Sequence, residues 1–138
     1  MPKAMRAAFT GFHLMPDGLR RLGAALETRP RPRPRILQFG GGNFLRGFFD
    51  WKIDRMNEAA GTDWGIVILR SIGSTEGSEL NAQDGLYTVL SSGLNERGEA
   101  VSEARLVHSV LGELSCQTEW PAVVAVACDP AISVVVSN

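Results

Sequence analysis

The sequence predicts an α/β domain, a mostly parallel sheet carrying an inserted β-hairpin, and three observations predict it. Two short apolar runs, Ile36-Leu37-Gln38-Phe39 and Trp64-Gly65-Ile66-Val67-Ile68-Leu69, flank a glycine turn and a segment of helical period. Strand, turn, helix and strand make a βαβ unit, whose crossover is long enough for parallel pairing and should be right-handed. Two β-prone stretches, Leu86–Leu90 and Val101–Val110, lie either side of the turn signal Asn95-Glu96-Arg97-Gly98 and read as a hairpin placed after that unit.

Composition sets the outer bounds. The chain has 138 residues, of which 44% are hydrophobic and 21% charged, enough for one modest core. A net charge of −1 gives no sign of a nucleic acid or an anionic membrane as partner. No apolar run approaches the ~20 residues of a membrane span, and the first residues lack the apolar segment of a secretory signal. Cys116 and Cys128 read as reduced thiols of a cytosolic protein, packed as small apolar residues. His13 and His108 stand apart from any cysteine or carboxylate cluster, so no metal is expected.

Taken in order, residues 1–35 read as an N-terminal extension and linker, and residues 36–138 as the domain. Asp17 can cap a short helix through Leu19, Leu22 and Leu26. The alternation from Arg29 to Arg35 with Pro30, Pro32 and Pro34 forbids helix and favours an extended strap. After the first strand, Gly40-Gly41-Gly42 turns the chain and Asn43 is placed to cap a helix. Leu45, Phe48, Phe49, Ile53 and Met56 form its apolar face, and Gly61 stops it. The unbroken second run suits a parallel strand covered on both faces.

Ser71 to Asp84 is polar and loop-like. Asp84-Gly85 turns the chain, with Leu86 and Thr88 on one face of the next strand and Tyr87 on the other. Thr118 is placed to cap a helix from Glu119 to Cys128 that tolerates Pro121 in its first turn. Ile132 to Val136 is a further buried strand. The sequence stops at Asn138, where an open sheet places its ligand crevice, so the domain is expected to be incomplete. Trp51, Trp64 and Trp120 are expected in or near the core.

Gly40-x-Gly42 between a strand and a helix is the first part of a dinucleotide fingerprint. The first glycine allows the tight turn, and the second lets backbone approach a diphosphate. Exposed N–H groups and the positive end of the helix favour the phosphate charge. The third fingerprint position is Leu45, neither Gly nor Ala, so on its own the motif is equally a plain tight connection. Arg46, in the first helical turn, can reach a phosphate or a ribose, or lie in solvent. Arg70 stands at the end of the second strand, where an acid often holds the adenosine ribose. It can accept a 2′-phosphate, stack on adenine or be a surface residue. NAD and NADP both stay open.

The stretch from Leu37 through Gly40-Gly41-Gly42-Asn43-Phe44-Leu45-Arg46-Gly47-Phe48-Phe49-Asp50-Trp51 closely resembles the opening of the tagaturonate reductases, or altronate oxidoreductases. These are a branch of the mannitol dehydrogenase family of polyol-specific long-chain dehydrogenases. Gln83-Asp84-Gly85-Leu86-Tyr87-Thr88, Gly93 to Ser102, and Val134 to Asn138 agree in the same order, so the resemblance runs from about Arg35 to the end. The family lacks the third glycine and carries an arginine next, which matches Leu45 and Arg46. The resemblance implies a Rossmann portion binding NAD through Leu37, Gln38, Phe39, Gly40, Gly41, Gly42, Asn43, Phe44, Leu45, Arg46, Gly47 and Phe48, with Arg70 as a further candidate. It implies hydride transfer between tagaturonate and altronate, without metal. It also implies that the catalytic lysine with its asparagine and histidine companions lies in a C-terminal domain absent here, so no catalytic residue is assigned. The sugar acid is then a partner only of a full-length form. A fragment of a mannitol or fructuronate dehydrogenase, or a non-catalytic truncated product, are the alternatives.

Overall fold

The computed structural model describes residues 29–138. The helix expected through Leu19, Leu22 and Leu26 lies outside the described residues.

Strand β1 (Arg33–Phe39) leads through a π-helical segment (Leu45–Asp50) into helix α1 (Trp51–Ala60) and strand β2 (Trp64–Arg70). A short helix α2 (Glu79–Ala82) precedes the hairpin of β3 (Tyr87–Leu94) and β4 (Ala100–Val107). Strand β5 (Val110–Ser115), helix α3 (Trp120–Ala127) and strand β6 (Val134–Ser137) follow. The main sheet has the order β5-β2-β1-β6 and every pairing in it is parallel. The hairpin is a separate antiparallel pair, in register from Tyr87↔Val107 to Leu94↔Ala100.

Alternation along the strands builds two cores. Ile36, Ile66, Ile68 and Val110 point to the side of the helical crossover, where Phe49 and Ile53 pack on them. Leu37, Val67 and Leu69 point the other way, onto Val123 and Val126 of α3. A sheet buried on both faces accounts for the continuous apolar run in β2.

Several sequence expectations change in the structure. The Arg/Pro strap does not stay outside the sheet. β1 begins at Arg33, and the register shifts between Pro34 and Ile36, where proline has no N–H to give the ladder. The strap arginines are tied to the chain itself: Arg31 Nη2 donates to the Leu111 carbonyl at 2.6 Å, and Arg33 pairs with Asp63. The first helix starts without a side-chain cap, because Asn43 Oδ1 accepts from Arg46 Nη2 at 3.0 Å instead. The π-helical segment widens the turn, so Leu45 and Asp50 face inward while Phe48 and Met56 are exposed. Gly61 does end the helix, in the left-handed conformation.

Further along, Thr118 does not cap α3; Glu119 precedes it, its Oε2 accepting the Ser115 N–H at 2.9 Å. Trp120 and Cys128 are exposed, because they lie at the two ends of a short helix whose inner face is Val123 and Val126. Thr88 is exposed while Leu86 is buried, since Leu86 precedes the strand and does not share its alternation. β5 had no counterpart among the expected elements, because Gly112 and Glu113 interrupt its apolar run.

Arg105 fastens the hairpin to α1. It lies 2.6 Å from Asp54 and 2.8 Å from Glu58. Asp54 is buried and also accepts the His108 N–H at 2.8 Å, with Arg29 3.6 Å away. Arg105→Ala removes the nearest counter-charge of a buried carboxylate while these other partners remain. We expect urea unfolding to show a loss of about 2 kcal/mol; an unchanged midpoint would mean that Arg29 and His108 suffice.

Candidate functional site

The site begins where β1 leaves the sheet. Gly40 has φ +92°, a conformation that only glycine adopts freely, and its N–H donates to the Leu69 carbonyl at 3.0 Å. Gly41 lies against the sheet, so that a Cβ there would meet Ile68 Cγ2 at 3.3 Å. Gly42 is the open position: a Cβ built on it would meet nothing within 4 Å. Directly after it the helical segment starts, and the first N–H groups of a helix have no partner within it. The turn therefore offers bare donors, a helix N-terminus and empty space together.

Beside the turn lies a cavity of roughly 510 Å³, lined among others by Gly41, Arg46, Arg70, Ser74, Ser78 and Glu113. Its position beyond the carboxyl ends of β1 and β2 is where open α/β sheets bind ligands, and its size suits a small molecule. Arg70 Nη1 lies 3.2 Å from Glu113 Oε1, which also accepts from the Ser78 hydroxyl at 2.5 Å.

Beneath the turn is a buried polar group. Gln38 and Asp50 are fully buried, and Gln38 Nε2 donates to the Gly40 carbonyl at 3.1 Å and to Asp50 Oδ2 at 3.4 Å. The Tyr87 hydroxyl reaches the Arg46 carbonyl at 2.9 Å and Asp50 Oδ2 at 3.2 Å. Burial pushes the Asp50 carboxyl up to about 6, against the bonds from Gln38 and Tyr87 and the charge of Arg46. Burial, and then the nearby Asp50 charge, holds the Tyr87 hydroxyl well above its usual value, so it stays protonated. Gln38 thus links the turn backbone to the helix, and Tyr87 links that helix to the hairpin.

The structure separates the residues singled out by sequence. Gly41, Arg46 and Arg70 line the cavity, with Gly40 and Gly42 completing the turn. Leu37 and Leu45 are buried in the core and Gln38 lies beneath the turn. Phe39, Phe44 and Phe48 are exposed in part, the last two stacked at 5.5 Å with Lys52 Nζ 4.3 Å from the Phe48 ring. Asn43 binds Arg46, and Gly47 is open to solvent. Sequence reasoning missed Asp50, Ser78 and Glu113. Glu113 lies in a strand that no expected element covered, so no local signal pointed to it.

Among the described residues no group of three or more His, Cys, Asp or Glu could hold a metal ion. Among them, too, no helix is long and apolar enough to cross a membrane.

Comparison with known proteins agrees with this geometry. Residues 34–137 match the model of the mannitol dehydrogenase Rossmann domain. Altronate oxidoreductase of Klebsiella pneumoniae subsp. pneumoniae is 50% identical over 104 residues, and that of Cronobacter sakazakii 48%; the match takes in 75% of this chain and 22% of each relative. The chain thus spans about a fifth of the length of these curated relatives. Among solved structures, a D-sorbitol dehydrogenase in substrate-free form superposes with a TM-score of 0.70 at 26% identity, covering 86% of this chain and 27% of that one. Pseudomonas fluorescens mannitol 2-dehydrogenase, solved as a ternary complex with NAD and D-mannitol, shares the fold with a TM-score of 0.66 at 24% identity, over 78% of this chain and 22% of that one. A family match across three quarters of the chain, on a parallel sheet with a glycine turn at the end of its first strand, makes this chain a member of the mannitol dehydrogenase family, in its Rossmann domain.

Proposed function

We propose that this chain binds a nicotinamide adenine dinucleotide at the Gly40–Gly42 turn. It would serve an oxidoreductase that interconverts tagaturonate and altronate. The observation that carries the binding is the empty space at Gly42, in front of a helix N-terminus and beside a cavity with Arg46 and Arg70. The altronate oxidoreductases, at about 50% identity, support the choice of sugar acid.

When bound, the nicotinamide supplies the hydride chemistry. The chain's own residues bind and orient. Gly42 admits the diphosphate to the backbone donors, and Arg46 adds positive charge; its Nε is buried without a partner in the protein. Gln38 holds the Gly40 carbonyl and so fixes the course of the turn. None of these residues is placed as the acid–base group, so the 138-residue chain is expected to give no turnover with tagaturonate and NADH.

The test is a thermal melt with and without NAD or NADH. A ligand at 100 times its dissociation constant adds about 2.7 kcal/mol of stability. Gly42→Val should keep the unliganded melting point close to that of the parent, because a Cβ there meets nothing within 4 Å, and should weaken dinucleotide binding at least about tenfold. Absence of any shift at millimolar nucleotide, or binding by Gly42→Val equal to the parent's, would overturn the proposal.

A further inference from the structure

Resting on the dinucleotide reading above, we infer that the Glu113–Arg70 pair selects the 2′-position of the adenosine ribose, with Glu113 as the residue that favours a free hydroxyl over a phosphate.

In a sheet ordered β5-β2-β1-β6, β1 divides two halves, and a dinucleotide lies across that divide. The cavity sits on the β2 and β5 side, next to Gly41, which is the half that takes the adenosine end. Folds of this kind commonly place a carboxylate at the tip of the second strand to accept the ribose 2′-hydroxyl. Here that tip is Arg70, a cation. The carboxylate comes from the neighbouring strand instead. Glu113 pairs in register with Ile68, one turn of the pleat below Arg70, and its side chain enters the same cavity.

Glu113 is the less exposed charge of the pair. Its side chain is 10% exposed against 39% for Arg70. Oε1 is held by both Arg70 and the Ser78 hydroxyl, while Oε2 lies 3.7 Å from the Cβ position of Gly41. A carboxylate keeps acceptor capacity on Oε2, so a ribose hydroxyl can donate to it. A 2′-phosphate in that place would meet a like charge, and Glu76 and Glu79 at the cavity wall add to the repulsion. Arg70 is the group that would otherwise welcome a phosphate, and its Nη1 is turned to Glu113 Oε1. Removing the carboxylate both lifts the repulsion and frees the guanidinium.

The experiment is a titration of the chain with NADH and, separately, NADPH, read by energy transfer from its tryptophans to the reduced nicotinamide. The parent chain should bind NADH at least about tenfold more tightly than NADPH. Glu113→Gln should shrink or reverse that ratio by at least about tenfold, and adding Arg70→Gln should abolish the NADPH gain. Equal or tighter binding of NADPH by the parent overturns the inference without needing any variant. So does a Glu113→Gln protein of normal far-ultraviolet dichroism whose ratio is unchanged. If the parent binds neither nucleotide, the dinucleotide reading itself falls and this inference with it; an altered ratio in the variants is the signature of the selector alone.

Discussion

Gly85→Ala is expected to cost about 3 kcal/mol or more of folding stability, the largest loss from a single methyl group that this structure implies. Two effects act at the same atom. Gly85 has φ +84°, where an L-residue is strained by about 1–2 kcal/mol. Its Cβ would also lie 2.2 Å from the Val110 carbonyl oxygen and 2.8 Å from the carbon behind it. Those are backbone atoms at the start of β5, so no rotamer change relieves the overlap. The chain must part from the sheet edge, and the Gly85 N–H bond to the Leu80 carbonyl at 2.9 Å goes with it. Gly98→Ala is the control: φ is +77°, but a Cβ there meets nothing within 4 Å. It should lose only the strain. Urea unfolding of both variants decides the matter, and equal losses would show that the contact with β5 is not tight in solution.

Asp50→Asn should be more stable than the parent at pH 8, and the difference should vanish toward pH 4. Asp50 is fully buried and its carboxyl is pushed from 3.8 up to about 6. A raised value means the folded chain holds this proton more tightly than the unfolded chain does. The stabilisation from protonation is therefore complete below about pH 4 and is lost as pH rises through about 6. A rise of that size corresponds to about 3 kcal/mol. The charged form leaves Oδ1 without a partner, as it leaves Gln38 Oε1. An asparagine keeps an acceptor for Gln38 and Tyr87 and brings a donor where the carboxylate has only acceptors. Other carboxylates, such as Glu58 held low by Arg105, shift stability the opposite way. The quantity to measure is accordingly the variant-minus-parent difference at pH 4, 6 and 8. A difference that stays flat would show that Asp50 titrates normally.

Both predictions concern residues whose importance no local pattern announces. Gly85 stood out as a turn, and the structure makes it a contact as well. Asp50 sits among apolar residues of a helix. A period of 3.6 from Leu45 puts Phe48 and Phe49 on the inner face, whereas the π-helical segment keeps Phe49 there, leaves Phe48 exposed and brings Asp50 inward. Helix caps failed for a related reason. Asn43 and Thr118 are good capping residues in isolation, but a nearby arginine claims Asn43, and Ser115 Oγ takes the Thr118 N–H at 3.1 Å while Glu119 turns back to Ser115.

Short-range rules were enough to place β1, β2, α3, β6 and the hairpin. Strand period, glycine punctuation and turn chemistry act over a few residues, and each is written in one stretch of chain. The same rules marked Gly40–Gly42 as the place where backbone could meet a diphosphate. Three things needed the folded chain: the edge strand β5, the buried Gln38–Asp50–Tyr87 group, and the meeting of Glu113 with Arg70 across 43 residues. Each depends on which segments become neighbours, and neighbourhood follows from the packing of the whole sheet. Burial then sets the charge state of Asp50 and the company of Arg70, and neither can be computed from a residue and its flanks.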